Sequence, residues 1–275
     1  MIKSVAIQGV KGSFHHIVSQ QYFDETVAVS ECLSFDEVVD SILNVNDDAA
    51  IMAIENSIAG SIIPNYALID AYGLHIVGEH YLDIQHHLMA LPNQTIDDIK
   101  EVYSHPMALL QCKDFFKSYP HIKLIEDRDT AEVAQRIQLN QSKHIAAIAS
   151  RLASKLFELH ILKESIQTIK HNETRFFIVK TKNSEIPEEV INKASIKFEL
   201  DHKRGSLATI LNVLSDCKLN LTKIQSLPKI ETPWKYAFFV DVTFESYNDY
   251  KKAKSIIAIM AQDFKVLGEY KNARQ

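Results

Sequence analysis

Ala49-Ala50-Ile51-Met52-Ala53-Ile54 is apolar at every position and runs directly into Glu55-Asn56-Ser57. A run this short, with neither helical nor alternating spacing, predicts a strand buried on both faces. A sheet covered on both faces needs helices that cross over between parallel strands, which places the chain in the α/β class. In open α/β sheets ligands sit beyond the carboxyl ends of the strands. Glu55, Asn56 and Ser57 occupy that end and are candidate site residues. The same residues also suit a plain strand-to-helix turn with Asn56 or Ser57 as its cap.

Toward the N-terminus, Ser4-Val5-Ala6-Ile7 reads as a short buried strand and leads into Gly9-Val10-Lys11-Gly12-Ser13-Phe14. Glycines between a strand and a helix let the backbone approach a ligand, and the helix start favours an anion. This is neither a dinucleotide fingerprint nor a P-loop, and a tight turn accounts for it equally. Thr26 to Val29 reads as a second strand, and Ser34-Phe35-Asp36-Glu37 as a capping box opening a helix to about Leu43.

Toward the C-terminus, Leu74 to Leu91 reads as extended, as in a chain crossing between lobes. Val102-Tyr103 is a brief strand. Ser104-His105-Pro106 then starts a helix, with Ser104 as N-cap and Pro in the first turn, and Gln111 lies within it. Ile122 to Ile125 is a strand, Asp129-Thr130-Ala131-Glu132 a second capping box, and Ile145 to Ala149 a strand ending at Ser150 before a helix. The alternation predicts a parallel α/β core.

Ile161 to Ile169 leads into His171-Asn172-Glu173-Thr174-Arg175-Phe176-Phe177, which reads as a strand. Thr174 and Phe176 share one face by alternation, and Arg175 needs a bend or strand end to join them. A guanidinium holds a carboxylate through two parallel hydrogen bonds, and a hydroxyl beside it could assist a departing oxygen. A surface Arg and a strand Thr read the same letters without chemistry. Thr181 to Asn192 is polar, contains Pro187 and suits a linker. Beyond it the order becomes strand, helix, strand, strand, helix, strand, over 194–200, 205–214, 219–227, 236–244, 249–260 and 264–270. That order is the ferredoxin-like α+β arrangement.

The chain has 275 residues, 46% of them hydrophobic, and a formal net charge of −5. These values fit packed domains and leave no nucleic-acid footprint. Cys32, Cys112 and Cys217 are odd in number and far apart, which fits reduced thiols in a cytoplasmic protein. The N-terminus starts straight into a strand pattern without the apolar core of a signal peptide, and no apolar run is long enough to span a bilayer. The twelve histidines are scattered, and His15-His16 and His86-His87 are adjacent, not one helical turn apart as in zinc hydrolases. No metal site is expected.

Several of these stretches together resemble the prephenate dehydratase family. Glu55-Asn56-Ser57-Ile58-Ala59-Gly60, Ser104-His105-Pro106 with Gln111-Cys112, and Asn172 ahead of Thr174-Arg175-Phe176 match its elements in order. Gly9 to Phe14 resembles its glycine-rich opening. Residues 194–270, including Pro233-Trp234 and Phe239-Val240-Asp241, resemble its C-terminal ACT regulatory domain. The resemblance implies a two-lobed, periplasmic-binding-protein-like (type II) catalytic region over 1–182, with lobe A about 1–75 and 166–182 and lobe B about 76–165. An ACT domain over 193–275 follows. It implies prephenate as substrate, phenylpyruvate, carbon dioxide and water as products, and no cofactor. It further implies a homodimer or homotetramer with feedback control by L-phenylalanine. A chorismate mutase domain, present ahead of some members, is expected to be missing because the first strand begins at residue 4.

On this resemblance Thr174 stands next to the departing oxygen, with Glu55 as a rival proton source, and Arg175 anchors the carboxylate that is kept. Asn56, Ser104, Gln111 and Thr130 are neutral hydrogen bonders, Ser13 and Ser57 line the site, and Phe176 excludes water. Phenylalanine is expected at Gly205-Ser206-Leu207-Ala208 and Gln225-Ser226-Leu227-Pro228. Here the family's Gly-Ala-Leu-Val and Glu-Ser-Arg-Pro are altered. Met107 and His15 replace an expected Gln and Ser. Two rivals stay open: arogenate dehydratase, and a non-catalytic amino-acid sensor.

Overall fold

The computed structural model describes residues 2–183, 186–201, 203–228 and 236–274. Pro233 and Trp234 lie outside the described residues. The chain divides into two compact units, Met1–Gly60 with Tyr81–Phe176, and Ser61–His80 with Phe177–Gln275.

The elements begin β1 (Ser4–Gln8), α1 (Phe14–Tyr22), β2 (Ala28–Cys32), α2 (Phe35–Leu43) and β3 (Ala49–Asn56). β4 (Gly60–Ser61), α3 (Ile63–Ala71), β5 (His75–Asp83) and β6 (His87–Ala90) come next. After them lie β7 (Glu101–Ser104), α4 (Pro106–Gln111), α5 (Lys113–Phe116), β8 (Lys123–Glu126) and α6 (Thr130–Asn140). β9 (Ile145–Ala149), α7 (Arg151–Leu156), β10 (His160–Lys163) and β11 (Glu173–Lys180) complete this part. One sheet has the order β2-β1-β3-β11-β5, and β1 runs parallel to both β2 and β3. Ala49 to Ile54 is buried throughout, as its composition requires. The strand continues through Glu55 and Asn56, so these polar residues obey strand geometry. The second strand starts at Ala28, not Thr26, because Thr26 is held in a turn by the Asp24 carboxylate.

A second sheet has the order β10-β6-β9-β7-β8. β7 is parallel to β8 and β9, but β6 is antiparallel to β9 and β10. The expected parallel core is therefore mixed here, since apolar periodicity carries no information about strand direction. α3, β4 and β10 were not legible in the sequence; α3 does carry Pro at its first turn.

The glycines after β1 serve packing. Gly9 and Gly12 have φ of +89° and +94°. A Cβ on Gly9 would lie 2.7 Å from an Asp129 carboxylate oxygen, and one on Gly12 would lie 3.0 Å from the Ala153 Cα. The Ser150 hydroxyl, N-cap of α7, donates to the Gly12 carbonyl. The loop thus lets the starts of α6 and α7 close onto the backbone.

In the second unit β12 (Lys193–Glu199), α8 (Ser206–Asp216), β13 (Asn220–Pro228), β14 (Tyr236–Thr243), α9 (Tyr247–Met260) and β15 (Gln262–Tyr270) follow the ferredoxin-like order. The sheet is antiparallel, in the order β13-β14-β12-β15. Alternation divides β12. Ala194, Ile196 and Phe198 join the core cluster that includes residues of α8 and α9. Lys193, Ser195, Lys197 and Glu199 are also buried. Charges out of water need partners. Lys193 Nζ donates to both oxygens of Glu79 at 2.9 Å, and Lys197 pairs with Asp70 at 3.0 Å.

Gly268 in β15 has no room for a side chain, since its Cβ would stand 2.1 Å from the Ile76 carbonyl oxygen. Gly268→Ala is expected to lower stability by about 1–3 kcal/mol through overpacking. Urea unfolding checks this, and an unchanged midpoint would contradict the contact.

Candidate functional site

The end of β3 and the start of β11 meet through side chains. Two backbone N–H groups, of Ile58 and Ala59, donate to Asn56 Oδ1 at 3.0 and 2.8 Å. Backbone amides can only donate, so they settle which end of the Asn56 amide is oxygen. Asn56 Nδ2 then donates to Thr174 Oγ1 at 2.9 Å and to Asn172 Oδ1 at 2.7 Å. With its oxygen engaged there, Asn172 Nδ2 donates to Gln111 Oε1 at 2.9 Å. His86 Nε2 lies 2.9 Å from the same oxygen, so it carries the proton and donates. Burial pushes the His86 imidazole down to about 4, which keeps it neutral with one N–H.

Each group's polarity is dictated by the previous one. Thr174 Oγ1 accepts from Asn56, so its own proton is directed elsewhere. Thr174 is 8% exposed and Asn172 fully buried, so little water competes. Gln111, its oxygen engaged twice, turns its amide nitrogen away. Gln111 also lines a cleft of about 460 Å³ with Ile58, Ala59, Met107, Leu110 and Lys113.

Asn56, Gln111 and Thr174 are thus brought together. Ser57 sits at the margin: its N–H donates to the Glu173 carbonyl and its hydroxyl accepts the Glu173 N–H, pinning the two strand ends. Other expected residues go elsewhere. Strand alternation puts Glu55 and Arg175 on the face opposite Asn56 and Thr174. Arg175 is buried, with its guanidinium carbon 5.9 Å from the Tyr81 ring centroid. β11 runs as a strand through Glu173–Lys180, so Arg175 projects from the face opposite Thr174. Phe176 does share Thr174's face, but it is buried edge-on against His15 at 5.0 Å. His15 is neutral, pushed by burial to about 3.

Ser104 ends β7 instead of capping α4: its hydroxyl donates to the Ile148 carbonyl of β9, and His105 is the N-cap. Ser13 is the N-cap of α1, accepting from His16 N–H. Thr130 opens α6 behind its N-cap Asp129. In the second unit, Gly205 is the N-cap of α8 with φ of +85°, while Ser206, Leu207 and Ala208 form or approach its first turn. Gln225, Ser226, Leu227 and Pro228 end β13. There Leu227 is buried and the Gln225 amide donates to the Ser226 carbonyl.

His86 is the residue that sequence reading missed. In the sequence His86-His87 carries no signal beyond a histidine pair, and the contact to Gln111 spans 25 positions. Asn172 was noticed only beside Thr174.

Two of the four buried histidines, His86 and His15, make stability strongly pH-dependent. Both bind a proton near pH 6.5 when unfolded, but only near 4 (His86) and 3 (His15) when folded. The unfolded chain therefore holds more protons as pH falls below 6.5, and stability falls with it. Each histidine is expected to contribute a slope of about 1.4 kcal/mol per pH unit well inside its window. His15→Leu should remove one such slope from urea midpoints measured between pH 6.5 and 4.5.

The family model described as prephenate dehydratase matches residues 5–184. A bifunctional chorismate mutase/prephenate dehydratase of Buchnera aphidicola subsp. Acyrthosiphon pisum is 32% identical over 237 residues, 85% of this chain and 62% of that protein. This chain thus spans less than two thirds of that relative. The chloroplastic arogenate dehydratase/prephenate dehydratase 2 of Arabidopsis thaliana is 33% identical over 97% of this chain and 72% of its own length. The solved structure of an Arthrobacter aurescens prephenate dehydratase in complex with L-Phe has a TM-score of 0.89 at 22% identity, covering 98% of this chain and 90% of that one, a likeness of fold. Among the described residues no helix is long and apolar enough to cross a membrane. With the model match over most of its length and relatives above 30% identity, the chain belongs to the prephenate dehydratase family.

Proposed function

We propose that this chain converts prephenate to phenylpyruvate. The ring-bound carboxylate leaves as carbon dioxide, and its bonding pair moves into the ring. The C–O bond on the far side of the ring breaks, and the oxygen takes up one proton and leaves as water. Charge balances: a dianion and a proton give a monoanion, carbon dioxide and water. Aromatisation drives the reaction, so catalysis consists mainly of helping a poor leaving group depart.

The observation that carries this reading is the hydrogen bond from Asn56 to Thr174 Oγ1, which leaves the threonine proton as donor. Thr174 is assigned the hydrogen bond to the departing oxygen. A threonine is too weak an acid to be consumed, so it donates or relays. Glu55, on the opposite strand face, is less suited to that contact. The Gln111 amide nitrogen and Lys113, which line the cleft together with Asp114, Thr168 and apolar residues, are assigned to the anionic end of the substrate. Holding the departing carboxylate tightly would hinder its loss, so these groups serve the one that is kept.

Regulation belongs to the same proposal. The 193–275 unit is read as an ACT domain, with L-phenylalanine received near the start of α8 by backbone N–H groups. The L-Phe bound to the Arthrobacter aurescens protein supports this. Assembly as a dimer or tetramer in the cytoplasm is the matching expectation. The name of the Arabidopsis relative keeps arogenate as the alternative substrate, and kcat/KM measured for both acids separates them.

Thr174→Ala is expected to lower kcat for phenylpyruvate release by about 10²–10⁴-fold, while Thr174→Ser keeps most of it. Near wild-type turnover by the alanine variant would refute the assignment. For regulation, calorimetry is expected to detect L-phenylalanine binding that Gly205→Val weakens. Neither heat nor inhibition at millimolar ligand would retire that part.

A further inference from the structure

We propose that His86 is a positioning residue, which locks the orientation that Asn56 and Asn172 give to Gln111 and so holds the Gln111 amide nitrogen as a donor toward the cleft. The proposal rests on the reading of Thr174 given above only for its kinetic arm.

Gln111 can be seated two ways, since its oxygen and nitrogen are nearly equal in shape. Asn172 alone contributes one bond to the choice. His86 adds a second donor to the same oxygen, from the opposite direction in sequence. Reversed, the Gln111 nitrogen would face two N–H groups, leaving both without an acceptor inside the protein. A buried donor without a partner costs about 1–3 kcal/mol, enough to hold one orientation.

His86 is itself held firmly. Its backbone N–H donates to Gln167 Oε1 at 3.0 Å, and its backbone carbonyl accepts from Ile166 N–H at 2.8 Å. Its ring stands edge-on to Phe14 at 5.6 Å. His86 Nδ1 is buried without a partner among the described residues, which suits a bare lone pair far better than an N–H. The ring is therefore the Nε2–H tautomer, aimed at Gln111. The consequence reaches the cleft: among the described residues the Gln111 nitrogen has no hydrogen-bond partner and is not a buried orphan, so it is presented to a ligand. The ligand class that fits is a carboxylate or carbonyl on an apolar body, since Ile58, Met107, Leu110 and Ile169 supply apolar wall, while Lys113, Asp114 and Thr168 are its other polar lining.

The test compares His86→Phe, which keeps the ring against Phe14 but has no N–H, with His86→Gln, which restores a donor at the same reach. Both are made alone and with Gln111→Leu in the full chain. His86→Phe is expected to lower kcat/KM for prephenate roughly 10-fold or more, as for a misplaced positioning group. His86→Gln should recover most of it. In the Gln111→Leu background His86→Phe should add little, because the group it acts through is gone. Equal losses in both backgrounds, or wild-type kinetics in His86→Phe, would overturn the proposal. ¹⁵N NMR of the wild-type ring gives an arm independent of turnover: the Nε2–H tautomer is expected, and an Nδ1–H ring would overturn it. A wild-type chain inactive on prephenate but showing the Nε2–H ring would refute the functional reading and leave the positioning role standing.

Discussion

Two backbone N–H groups in the turn after β3 need an acceptor, and Asn56 Oδ1 supplies it. Everything at the site follows from that requirement. An amide has a donor end and an acceptor end, so fixing one fixes the other. Asn56 must donate onward, Asn172 must accept and then donate, and Gln111 must accept. The chain starts from groups whose polarity cannot change and ends on Thr174 at one side and His86 at the other. A side-chain alcohol alone has no fixed sense; here the bond from Asn56 gives it one.

Burial makes this directionality firm. Asn172, His86 and Thr174 have little exposure, so water cannot repair a reversed link. In such surroundings a mispaired donor costs more than a correct hydrogen bond contributes. The same desolvation keeps His86 from taking a second proton, which would turn its bare nitrogen into an orphan donor. Elsewhere burial has a different use. Gly9 and Gly12 admit Asp129 and Ala153, and Gly268 admits the Ile76 backbone, so these glycines answer to packing.

Much of the fold was readable from periodicity and punctuation. The apolar run at Ala49 to Ile54 is the buried strand it promised to be, and Ser34 and Asp129 cap the helices their spacing announced. The strand and helix order after Lys193 closes into the antiparallel sheet expected of it. Of the candidate site, Asn56, Gln111 and Thr174 are legible in short motifs. Ser104, Arg175 and Phe176 are polar or aromatic letters at strand ends, and the letter does not tell whether its side chain meets a ligand, a carbonyl or another ring. Ser104 is engaged by Ile148, Arg175 lies by Tyr81 and Phe176 by His15, partners distant in sequence.

The sequence by itself determined the α/β class, the terminal ferredoxin-like order and the family, because these depend on local spacing and on short motifs in a fixed order. Tertiary structure alone decided strand direction in the second sheet, the placing of Arg175 beside Tyr81, and the entry of His86 into the site. Those outcomes depend on which surfaces meet across long separations in the chain. A hydrogen bond's sense is set by the partner that arrives, and no single segment carries its partner with it.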